Sequence, residues 1–111
     1  MVEFEQKAQY GIADLREIVR LLRSPEGCPW DKEQTHQSIR NDFLEEAYEA
    51  VEAIDLLDMP LMREELGDVL LQVVFHARIE EEKNRLIKSF SGWWYRLLLW
   101  RQLLCRLRKR L

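Results

Sequence analysis

Apolar positions in the first part of this chain recur at three- and four-residue spacings, the signature of helices that each bury one face. Ile12, Leu15, Val19 and Leu22 mark the first helix, predicted over about residues 4–23, with Arg16, Glu17, Arg20 and Arg23 on its other face. The two prolines and the glycine of SPEGCPWDKEQT, residues 24–35, stop it. Thr35 is suited to cap a second helix over roughly residues 36–56, with Ile39, Phe43, Ala47, Ala50 or Val51, and Ile54 on its apolar side. Asp58-Met59-Pro60 makes a short break, and Pro60 fits the first turn of a third helix. That helix, over about residues 61–83, is expected to bury Leu66, Val69 or Leu70, Val73 and Ala77. So short a connection makes the second and third helices antiparallel neighbours.

Composition agrees with helix. The 111 residues include only four glycines and three prolines, and they suffice for one domain with a modest core. The net charge of −3 conceals an asymmetry: residues 1–85 hold all 20 acids and ten Lys/Arg, whereas residues 86–111 hold seven Lys/Arg and no acid. An acidic body argues against nucleic-acid binding by charge attraction. Residues 1–85 therefore read as a helical domain and residues 86–111 as a distinct basic, Trp/Leu-rich tail. In that tail Trp93, Leu97, Trp100, Leu104, Leu107 and Leu111 form a helical seam, and membrane contact is not its expected role. Cys28 and Cys105 fit no metal or redox spacing. Without a basic-then-apolar leader or a spanning apolar run, a cytoplasmic location is expected.

The chemistry lies in two matched acid pairs, Glu46 with Glu49 and Glu65 with Asp68. Residues three apart on a helix share a face, with about 5–6 Å between Cβ atoms. Both pairs lie at similar distances from the turn, so an antiparallel hairpin brings four acids together. Such a cluster is untenable without positive charge between its members, and an all-oxygen set suits a hard divalent cation, with Mg²⁺ the first expectation and Mn²⁺ the second. Leu44, Ala47 and Ala50 beside the first pair, and Leu66, Val69 and Leu71 beside the second, suggest that both faces turn inward. Gly67 inside the third helix suggests a close approach there. Glu33-x-x-His36 matches half of a di-iron pattern, but Val73 stands three residues before His76, so the second half is missing. His76 reads as a helix-face residue at the core edge.

The acids with their surroundings, GCPWDKEQTHQSIR at 27–40, FLEEAYEAVEAID at 43–55 and REELGDVLLQVVFHARIEEE at 63–82, resemble the MazG family of nucleoside triphosphate pyrophosphohydrolases. The likeness runs from about Gly11 to Lys83. It implies an antiparallel bundle of the all-α NTP pyrophosphatase type, completed by assembly into homodimers or higher homo-oligomers. It also implies Mg²⁺-dependent conversion of nucleoside triphosphates to monophosphate and pyrophosphate. Carried over, the metal ligands are Glu46, Glu49, Glu65 and Asp68, with Glu45 as a supporting or water-orienting acid beside Glu49. Lys32 and Arg63 are the candidate cations for phosphate, Asp42 stands at the mouth of the site, and Trp30 either stacks a base or packs its loop onto the bundle. After Arg85 the chain departs from the family's pattern of a further basic helix. A second kind of reading is therefore a catalytically impaired helical module that dimerises with or regulates an intact relative.

Overall fold

The structure, a computed structural model, describes residues 3–83. The chain divides into two units, Met1–Ile79 and Glu80–Leu111. The predicted tail and its seam, and Cys105, lie outside the described residues. Four helices and no strand occur among the described residues: α1 (Ile12–Leu22), α2 (Pro29–Lys32), α3 (Arg40–Asp55) and α4 (Met59–Glu82). The all-α expectation holds.

The first helix begins eight residues later than its periodicity suggested. Asp14 Oδ2 accepts the Gly11 N–H at 2.8 Å, and its Oδ1 takes the Lys7 ammonium at 2.6 Å. An acid at the third helical position reaching back to the N-cap amide fixes the start at Ile12. Arg23 also corrects its expected place on the solvated face. Its Nη1 donates to the carbonyls of Asp31 (2.7 Å) and Gln34 (3.0 Å), and its guanidinium lies 5.2 Å from the centre of the Phe75 ring. The 24–35 segment, with α2 inside it, is thereby tied to α4.

Thr35 does cap, but it caps a turn rather than α3. Ser38 N–H donates to Thr35 Oγ1 at 3.1 Å, Thr35 N–H donates to Ser38 Oγ at 2.8 Å, and Ile39 N–H closes onto the Thr35 carbonyl at 3.2 Å. Residues 36–39 form this turn, and α3 follows from Arg40. At the other end of α3, Asp58 N–H reaches the Ala53 carbonyl (3.1 Å) and Leu57 N–H the Ile54 carbonyl (3.1 Å). This double closure places Leu57 at φ 55. Asp58 Oδ1 then accepts the Leu61 N–H at 3.1 Å and caps α4, with Pro60 in its first turn.

The core consists of Val19, Ile39, Ala50, Ala53, Val74, Ala77 and Ile79. Ala50 and Ala53, rather than Val51 and Ile54, occupy the buried side of α3, and small residues there let its backbone approach its neighbours. Leu66, expected inside, is 48% exposed. Leu44, Tyr48 and Val51 on α3 are also exposed, at i, i+4 and i+7 of one face.

Two glycines make opposite demands. A Cβ on Gly27 would lie 2.3 Å from the carbonyl oxygens of Leu21 and Leu22, backbone atoms that cannot swing aside. A Cβ on Gly67 would meet nothing within 4 Å, so the expected close approach is absent among the described residues. Gly27→Ala should therefore destabilise by about 1–3 kcal/mol. Gly67→Ala should stabilise by about 1 kcal/mol, the helix-propensity difference. Urea denaturation of the two variants checks both signs, and a loss of stability in Gly67→Ala would contradict the assignment.

Candidate functional site

The turn at Leu56–Asp58 folds α3 back on α4, so facing residues are those equally far from it. Glu49 opposes Glu65, Glu46 opposes Asp68, and His36 opposes His76, each pair centred on residue 56 or 57. The hairpin brings oxygens of Glu46, Glu49 and Glu65 within 4.8 Å of one another. Glu46 and Glu65 are half-buried and Glu49 is exposed. Asp68, half-buried one turn beyond Glu65, is not part of that tight trio, but its charge acts on both Glu46 and Glu65.

Burial pushes the Glu46 carboxyl above the ordinary carboxylate range, and the charges of Asp68, Glu49, Glu45 and Asp42 push it further. Glu65 is raised in the same way, first by burial and then by Glu49, Asp68 and Glu46. Among the described residues no cation acts on either carboxyl as strongly as these acids do. Glu65 Oε2 is shielded from solvent and has no hydrogen-bond partner among the described residues. A shielded carboxylate oxygen without a donor, facing two more carboxylates, needs a proton or a cation. The donor set is entirely oxygen, which matches a hard divalent cation and excludes a thiolate or imidazole site. These residues fit such an ion.

The remaining candidates fall at several places. Asp42 is exposed one turn before Glu46 and close enough to affect its protonation. Glu45 is exposed beside the trio. Trp30 and Lys32 are exposed on α2, and at 78% exposure the Trp30 ring does not pack its loop onto the bundle. Arg63 stands two residues before Glu65, and two steps of about 100° put it on nearly the opposite side of α4.

The histidine of the Glu33-x-x-His36 half-pattern is paired with His76. His36 Nδ1 lies 2.6 Å from His76 Nδ1, with the ring planes within 1° of parallel. That nitrogen separation is too short for stacked faces, so the rings meet edge to edge and share one proton. Burial and the charge of His36 together hold the His76 pKa below the ordinary value. The pair was not legible from spacing, because its members are 40 residues apart and only the hairpin register joins them. It borders an open cavity of about 480 Å³ whose wall also includes Arg40, Phe43, Leu44 and Ala47.

Comparison with known proteins places this arrangement. The MazG nucleotide pyrophosphohydrolase domain family matches residues 34–90, half of the chain. An uncharacterised protein, YabN, of Bacillus subtilis is 51% identical over 83 residues, covering 75% of this chain and 17% of its own length. The nucleoside triphosphate pyrophosphohydrolase/pyrophosphatase MazG of Thermotoga maritima is 57% identical over 71 residues, covering 64% of this chain and 28% of its own. The nucleoside triphosphate pyrophosphohydrolase of Escherichia coli K12 is 52% identical over 69 residues, 61% and 26% respectively. The chain thus spans between 17% and 28% of the length of these relatives. No helix among the described residues is long and apolar enough to cross a membrane.

Proposed function

Because the chain belongs to the MazG nucleotide pyrophosphohydrolase family, we propose that it hydrolyses nucleoside triphosphates to monophosphate and pyrophosphate with Mg²⁺, Mn²⁺ serving as a substitute. The observation that carries this reading is the convergence of Glu46, Glu49 and Glu65 around an unpartnered carboxylate oxygen. Those three with Asp68 would hold the ion. Bound there, a divalent cation supplies positive charge that offsets both the acids and the phosphates of the substrate.

The chain's own groups do the rest. Glu49 or Glu45 accepts the proton of the attacking water and holds its oxygen toward a phosphorus of the α–β linkage. A new P–O bond forms there, the bridging P–O bond breaks, and the other phosphate fragment leaves. Asp42 flanks the mouth of the site. Lys32 is a proposed phosphate contact and Trp30, exposed on the same short helix, a proposed stacking surface for a base. Arg63, on the far side of α4, would reach a phosphate only across a subunit boundary. The exposed Leu44–Tyr48–Val51 stripe supports a homo-oligomer, dimeric or larger.

Product analysis on this chain tests the reading. With mixed nucleoside triphosphates and Mg²⁺, monophosphate and pyrophosphate should appear in equal amounts, and EDTA should stop their formation. Diphosphate and phosphate would refute the site of cleavage. No product, together with oligomerisation, would favour the assembly module.

A further inference from the structure

His36 and His76 are the chain's two histidines, and the acid cluster uses neither. His36 lies in the turn that leads into α3, and His76 lies within α4. Their ring centres stand 4.9 Å apart in planes 1° from parallel, so each Nδ1 points straight at the other across 2.6 Å. Nitrogens that close need one proton between them. With none, lone pair faces lone pair; with two, N–H faces N–H. A neutral imidazole pair supplies that proton, and so does a pair carrying one positive charge. A pair carrying two charges does not, because both Nδ1 atoms are then donors. The contact therefore survives the first added proton and is broken by the second.

We propose that this contact is an acid-released latch: it holds the turn of residues 36–39 on α4 at neutral pH, and uptake of a second proton by the pair frees that turn and widens the cavity beside it. The charges packed around the pair oppose the second proton. Arg40 of α3 shares the wall of the cavity with both histidines, and Arg23, at the end of α1, lies against Phe75, the residue before His76. Glu33, three residues before His36 on its own segment, is exposed to solvent. Phe43 of α3 covers His76 with 5.6 Å between ring centres. Burial and the charge of His36 both act against a charged His76. Release acts at the N-terminal end of α3, fewer than two turns before Glu46. The latch involves no metal and no nucleotide, so it stands or falls apart from the triphosphate reading.

Imidazole NMR titration of the full chain from pH 8 to pH 5, with amide hydrogen exchange corrected for its intrinsic pH dependence, tests the proposal. The two rings should titrate as a coupled pair, the last proton entering below the ordinary value of about 6.5. Within the turn, the Ile39 N–H donates to the Thr35 carbonyl and the Arg40 N–H to the Gln37 carbonyl. Protection of these two amides should fall by about thirtyfold at pH 5, the effect of one extra proton taken up by the opened pair at about 6.5. Amides in the middle of α4 should keep theirs. His76→Asn places a non-titrating amide near the position of Nδ1, so charged His36 can still donate to it. In that variant His36 should titrate in one step and the turn should stay protected at pH 5. His36→Asn is the reciprocal variant and serves if the first fails to fold. Independent titration of both rings near 6.5 would overturn the proposal. So would a loss of protection that is absent from the unaltered chain, equal in the variants, or shared by the whole of α4.

Discussion

Glu49→Ala should lower pyrophosphate release at least about a hundredfold and abolish stabilisation by Mg²⁺, while leaving the helices intact. The hundredfold is a lower bound, because changing even residues that only orient metal ligands typically costs ten- to a hundredfold. Glu49 is the one exposed member of the trio, so its truncation opens no buried cavity. It also sits opposite Glu65, and its charge raises that carboxyl more than any other charge does. Removing it relieves repulsion in the metal-free chain and weakens the pull on a cation. Asp68→Ala should act in the same direction, since its charge raises both Glu46 and Glu65. Steady-state release of pyrophosphate, with circular dichroism to confirm folding, checks both. Full activity in Glu49→Ala would show that the acids are merely a surface cluster.

Glu65→Gln should do something less common, raising stability while removing metal response. A carboxyl whose pKa is raised on folding binds its proton more tightly in the folded chain than in the unfolded one. Its contribution is therefore unfavourable at neutral pH, and the penalty is relieved as pH falls through the raised value. Glutamine is neutral throughout, so the metal-free variant should melt at a higher temperature than the unaltered chain at pH 7. That advantage should shrink on acidification and vanish below the ordinary value of 4.5, where both folded and unfolded carboxyls are protonated. Saturating Mg²⁺ should reverse the order. At a hundred times its Kd, a cation stabilises the chain that binds it by about 2.7 kcal/mol and leaves the variant unmoved. Thermal melts at pH 7 and pH 4, with and without Mg²⁺, give all four comparisons. A variant less stable than the unaltered chain without metal at pH 7 would mean that Glu65 is not repelled by its neighbours.

Much of this site is legible in the sequence because it depends on two simple regularities. Glu46/Glu49 and Glu65/Asp68 are each spaced for one helix face, and Asp58-Met59-Pro60 fixes the turn that makes the two helices antiparallel. Fold class and acid convergence follow from these alone. The errors came where side chains override periodicity. Asp14 reaches back to Gly11 and shortens α1, and Thr35 spends its hydroxyl on Ser38, so α3 starts at Arg40. Arg23 reads as a surface charge, yet its long stem lets it hold two carbonyls and cover Phe75. The apolar spacing of its helix puts Leu66 inside, and a glycine within a helix suggests a close approach at Gly67. Steps of about 100° and 200° around the helix carry them away from the face of Glu65 instead. His36 and His76 had no local signal at all. They acquire meaning only once the register of the hairpin is known.

The central claim is that carboxylates from two facing helices hold a divalent cation, and direct titration tests it without requiring turnover. Mn²⁺ added to the metal-free chain, followed by loss of its free-ion paramagnetic resonance signal, should show saturable binding that Mg²⁺ displaces and that disappears in Glu65→Gln. Binding that is unsaturable, indifferent to Mg²⁺ or unchanged in that variant would contradict it.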